Sequence, residues 1–217
     1  MPVARPFSTF ALLVTVLAVT APPAVAHSAD RKVSLPVFHA IAASGNLAVD
    51  VVGGQQQSVE ITGNGGAVRR VQATVTNGEL RLTMAPDPHP RFFGSDPQPH
   101  VAVSLAQLDD ASMTGASVLS ARDLSGPRLA IAMAGASRAM IAGSVTSFTA
   151  ALDGASHLSA DNLITTAATL SLSGASQALV HATGTLKIAA SGASRVVYFG
   201  TPTLFESLSG VASVHRK

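Results

Sequence analysis

Between Met113 and Ser213 apolar residues recur at alternate positions within short segments, and the alternation restarts at a fixed interval. Counting back from successive glycines, the sixth, fourth and second places hold Leu129, Ile131 and Met133, then Phe148, Ala150 and Leu152. The next copies hold Ala168, Leu170 and Leu172, then Leu186, Ile188 and Ala190. Period two with small or polar residues between is the signature of a strand with one buried and one solvated face. The glycines open a repeated phrase: Gly115-Ala-Ser117, Gly135-Ala-Ser137, Gly154-Ala-Ser156, Gly174-Ala-Ser176 and Gly192-Ala-Ser194, with a degenerate copy at Gly210-Val-Ala-Ser213. Their spacing of 18 to 20 residues is a solenoid period. A second set of turn signals (Ser125-Gly126-Pro127, Gly143-Ser144, Asp161-Asn162, Thr183-Gly184, Gly200-Thr201-Pro202) divides each period into two turns and two main strands.

One-faced segments of this length bury nothing alone, but copies stacked about 4.8 Å apart bury continuous files of like side chains. The pattern therefore predicts an all-β parallel β-helix. Glycine suits a corner whose φ a Cβ would hinder, and Ala-Ser suits one with little room. In register, Ser117, Ser137, Ser156, Ser176 and Ser194 form a ladder, read as a corner that must be small and hydrogen-bonded rather than as a recognition strip. The residues after each serine, Val118, Arg138, His157, Gln177 and Arg195, point outward as a mixed polar row. Arg138, His157, Gln177 and Arg195 are the candidate ligand face, where a solenoid would grip an extended glycan or a protein partner.

Upstream, residues 33–84 read as shorter alternating segments (47–51, 58–61, 71–75 and 80–84) and as irregular, capping coils. Asn77-Gly78 between two of them is a hairpin signal. Residues 85–100 carry five prolines and describe an extended loop, after which residues 101–213 hold the regular repeats. Its Arg91, Phe92 and Phe93 form a candidate contact loop, the two rings being read first as a cover for one side of the stack.

Residues 1–26 have the layout of a cleaved signal peptide: Arg5, an apolar run at 10–20, and a small-residue site ending at Ala26. Residues 27–217 are then one domain, exported to the periplasm or the cell surface, with no membrane span after cleavage. Without cysteine, that domain draws its stability from its core alone. Lys and Arg number 14 against 12 Asp and Glu, and one of the 14 is Arg5 in the leader. The basic residues are scattered with little aromatic company, which argues against nucleic acid.

Jointly, Phe38-His-Ala-Ile41 with Ser44-Gly-Asn-Leu47, Val75-Thr-Asn-Gly-Glu-Leu-Arg-Leu82, the serial Gly-Ala-Ser copies and Arg195-Val-Val-Tyr-Phe-Gly-Thr-Pro202 resemble the head GIN domain family of bacterial auto-transporter adhesins. The resemblance spans about residues 36–213. It implies a right-handed parallel β-helix, export, and an adhesive or envelope role with no catalytic centre.

Chemistry is otherwise sparse. Glycoside cleavage needs two carboxylates about 5 to 10 Å apart. Asp109, Asp110, Asp123, Asp153 and Asp161 sit at different places in the repeat, so a polysaccharide lyase or hydrolase is the alternative reading, and a purely structural envelope protein a third. His89, His100, Asp87 and Asp96 match no metal spacing, and His157 and His181 lie at different coil positions. No nucleophile elbow or phosphate loop occurs, and no cofactor is expected.

Overall fold

The computed structural model describes residues 28–86 and 98–217; the proposed leader and the Arg91, Phe92 and Phe93 segment lie outside the described residues. The chain forms a β-solenoid of stacked parallel coils. Its regular part comprises β8 (Asp110–Gly115), β9 (Val118–Gly135), β10 (Arg138–Leu152), β11 (His157–Leu172) and β12 (Gln177–Ala190), then β13 (Arg195–Phe199), β14 (Thr203–Leu208) and β15 (Ser213–Arg216). The Gly-Ala-Ser corner breaks the strand in every coil. At the second turn β9 to β12 bend without losing their ladder, aided by Gly126 (φ 154°) and Gly143 (φ 144°), with local register shifts near Ile141 and Ala160. We call the half of each coil after the corner sheet I and the half before it sheet II.

Parallel register sets like on like inside the core. Leu129, Phe148, Ala168 and Leu186 form one file, and Met133, Leu152, Leu172 and Ala190 another, all almost fully buried. Sheet I contributes Leu119, Ala139, Leu158, Ala178 and Val196. Each such leucine sealed from water contributes about 1.5–3 kcal/mol relative to exposure.

The corner itself is a backbone problem. Gly135 has φ 85°, and a Cβ there would lie 2.7 Å from the Gly115 oxygen of the coil below. Stacking thus forbids a side chain even before the φ penalty is counted. Ser156 Oγ donates towards Asp153 O (2.9 Å) and Gly135 O (3.4 Å), and Ser137, Ser176 and Ser194 repeat the pattern. These buried hydroxyls therefore cross-link corner backbone rather than bonding to one another. In the degenerate copy the register sets Ser213 beside Arg195, so Ala212 takes the corner place and Ser213 joins the outward row.

The solenoid does not wind in sequence order. β2 (Ala40–Gly45) and β3 (Ala48–Val52) form a coil whose corner, Gly45-Asn46-Leu47, stacks directly on Gly115-Ala116-Ser117. The chain between them folds back beyond that coil: β4 (Ser58–Asn64), α1 (Gly65–Arg70), β5 (Val71–Thr76), β6 (Glu79–Met84) and β7 (His100–Ser104). With β1 (Ser28–Val33) they extend sheet I in the order β1-β4-β7-β3-β9 and sheet II as β5-β6-β2-β8. The β1–β4, β4–β7 and β5–β6 pairs are antiparallel. Asn77 (φ 52°) and Gly78 (φ 75°) close the β5–β6 hairpin in the doubly left-handed turn that matches strand twist. The helix was not expected from the pattern. Asn64 caps it by accepting from Gly66 N, and Ala67 and Val68 plug the open end of the core.

Candidate functional site

On sheet I the register carries the row His100, Ala48, Val118, Arg138, His157, Gln177, Arg195 and Ser213, one residue per rung. The four candidate ligand-face residues are thus adjacent, with Arg138 and Arg195 three rungs apart, about 14 Å at one strand spacing per rung. Both arginines and Gln177 are exposed, and His157 is half-buried. At the head of the row His100 Nδ1 meets Asp50 Oδ2 at 2.9 Å. Two residues further along the strands runs a parallel row, Asp50, Ser120, Met140 (49 % exposed), Ser159, Leu179, Val197 and His215, whose middle is the more apolar part. Sheet I therefore offers a basic, hydrogen-bonding rail beside a mixed one with an apolar middle.

Sheet II is different in kind. Its outer face is paved with Ser112, Ala132, Ala151, Ser171 and Ala189, and the first four of these with Thr114, Asp153 and Ser173 line a shallow depression of ≈ 360 Å³. At its edge the Asp153 carboxyl accepts from Ser173 Oγ (2.6 Å) and Gly154 N (2.8 Å). These bonds, the serine's foremost, hold it below the usual carboxylate range.

The carboxylates considered for cleavage separate. Asp123 lies at the bend of β9 with φ 57°, Asp161 accepts from Ser159 Oγ, and Asp153 sits at the depression. Only Asp109 and Asp110 share a groove, ≈ 410 Å³, with His39, Arg128, Ser147 and Thr149. Burial pushes the Asp110 carboxyl up. The Glu79 charge adds to this, Arg128 offsets part of it, and Asp109 contributes a smaller rise. Sequence reasoning missed this clustering because His39 and Glu79 reach it through long-range pairing of β2 with β6 and β8. Gln107 donates to Asp109 and fixes its orientation. Among the described residues no group of three His, Asp or Glu side chains is placed to hold a metal ion. Nor is any helix there long and apolar enough to cross a membrane.

Comparison with known proteins places this solenoid in a family. The family model described as "Putative auto-transporter adhesin, head GIN domain" matches residues 37–202, and the chain belongs to that family. A crystal structure titled as a putative adhesin from Bacteroides fragilis is similar over 88 % of this chain and 97 % of its own, with TM-score 0.65 and 19 % identity. A second putative adhesin, from Parabacteroides merdae, covers 88 % of this chain and 96 % of its own at TM-score 0.52 and 14 % identity. A protein from Parabacteroides distasonis titled as a putative lipid binding protein matches over the same shares, with TM-score 0.52 and 13 % identity. At these identities the likeness is one of fold. No curated protein matches the chain.

Proposed function

We propose that the protein is an exported, non-catalytic adhesin-type binding module that holds an extended acidic glycan along sheet I. The observation that carries this reading is the in-register row Arg138, His157, Gln177 and Arg195 with no carboxylate among its members. A repeating ligand meets a repeating row rung by rung, and the two guanidiniums favour carboxylate or sulfate substituents. The neighbouring Met140 and Val197 rail suits the less polar faces of sugar rings.

The test is binding of the protein to immobilised acidic and neutral envelope polysaccharides. Arg138→Ala with Arg195→Ala should weaken binding to the acidic ones about tenfold or more without changing the melting temperature. Unchanged affinity removes the row as a site, and retention of a purified surface protein but no glycan would move the reading to a protein partner. Export is tested separately by protease shaving of intact cells: digestion indicates the outer surface, and protection indicates the periplasm.

A second reading, a polysaccharide-cleaving enzyme, draws on one observation only, the shared groove of Asp109 and Asp110 with the latter's raised carboxyl. Release of reducing ends from a polysaccharide, abolished by Asp110→Asn, would establish it.

A further inference from the structure

At the far end from the C-terminal coils, sheet I finishes in β1 and sheet II in β5. Among the described residues each has one strand partner, β4 and β6 respectively. Between the two free edges lies a groove of ≈ 540 Å³, within the range of small-ligand sites. Its polar lining is Arg31, Lys32, Arg69, Ser34, Gln72 and Thr74: three cations, three neutral hydrogen-bonding groups and no carboxylate.

Arg31 is the unusual member. In the antiparallel register it stands opposite Ile61, which is fully buried, while Val33 stands opposite Val59. It thus sits on the core side of β1, where an apolar residue would continue the pattern. Its Nη2 donates to Val71 O, at the C-terminal cap of α1, at 2.6 Å, which anchors the guanidinium. Its Nε is buried and has no acceptor. An ionised side chain with one donor unmet is costly to hold here, and an anion in the groove offsets that cost through the guanidinium's charge. Lys32 and Arg69 line the same groove. Glu60 stands opposite Lys32 in register and Asp30 lies two residues before it on the same strand face, yet among the described residues neither forms an ion pair with these cations.

From this geometry we propose that the groove binds a phosphate-type oxyanion, with the Arg31 guanidinium as the fixed ligand and Lys32 and Arg69 as mobile counter-charges. A phosphate monoester carries close to two negative charges and three acceptor oxygens, which matches three cations and the adjoining hydroxyl and amide donors. A lipid headgroup and a soluble phosphorylated molecule present the same recognised chemistry.

Calorimetric titration of the protein with inorganic phosphate at low ionic strength, paired with vesicle flotation, separates the cases. Saturable phosphate binding that falls about tenfold or more in Lys32→Gln/Arg69→Gln, with melting unchanged, is the expected result. Co-flotation with phosphatidylcholine vesicles containing phosphatidic acid, but not with pure phosphatidylcholine, would make a headgroup the source. Phosphate binding without flotation would make it a soluble phosphorylated molecule. Arg31→Lys keeps the charge but removes the planar guanidinium and its anchor to Val71 O, and should also weaken binding; if it unfolds the cap, the surface double variant carries the test. Absence of both signals, or signals untouched by the double variant, overturns the site. Arg138→Ala with Arg195→Ala should leave both signals intact, so failure of the sheet I row and failure of this groove are distinguishable.

Discussion

The central coils and the N-terminal end of this solenoid solve the same problem by opposite means. In residues 110–208 every rung rests on a near copy of itself, so one solution, glycine at the corner and serine beneath it, serves each coil. At the N-terminal end no copy exists to stack on. Individual devices take over: the Asn77-Gly78 hairpin, the Asn64 cap of α1, the Arg31 contact to Val71, and Gln57, which donates to Leu35 O and Pro36 O and accepts from Phe38 N. Repetition spreads stability as a sum of like interfaces, whereas a cap concentrates it in a few contacts.

Breaking a repeat corner should therefore cost most, because the coils on both sides feel it. Gly135→Val forces a left-handed φ on a branched residue and drives Cβ into the Gly115 carbonyl, and a loss of about 3 kcal/mol or more in denaturant unfolding is expected. Next comes Leu158→Ala in the middle of a core file, about 3 kcal/mol. Its counterpart at the cap, Val68→Ala, should cost about 1.5 kcal/mol from two lost methyl groups. Hydrogen exchange in that variant should rise in β1, α1 and β5 while β10 and β11 stay protected; uniform acceleration would show that cap and coils unfold as one unit.

Ser156→Ala probes the corner hydroxyl alone and should cost about 1 kcal/mol. Ala212 occupies the equivalent place in the last coil, so the fold should survive the change. The smallest effect is expected at Asp110. A carboxyl whose pKa is raised in the folded state favours folding while protonated, and that contribution is lost as pH rises from below the ordinary value of 3.8 through the raised one. Asp110→Asn should then stabilise the protein slightly at neutral pH, by less than about 1 kcal/mol at this partly exposed position. The gain should vanish once the pH falls below 3.8. A gain independent of pH would point to packing instead.

The solenoid was readable because its signals are local and repeated: alternation marks the buried face, and the glycine interval sets the coil length. The outward row was readable for the same reason, since equal spacing from the corner becomes adjacency once coils stack. Helix α1 was not, because Gly63-Asn64-Gly65-Gly66 reads as a turn, and six residues hold too little periodicity to announce a helix. The Arg31 groove was equally hidden. It joins residues some 40 positions apart on two strands that are not paired with each other, linked only by the Arg31 side chain.

By itself the sequence determined the coil: its length, its corner chemistry, and which side chains face in or out, all of which depend on neighbours within one period. Only the tertiary structure decided the order of coils. Gly45 stacks on Gly115 although 70 residues separate them, and the intervening chain caps the core end instead of adding coils in turn. The physical reason is that parallel stacking rewards any matching corner that can be brought into register, while the entropy of closing the intervening loop grows only slowly with its length.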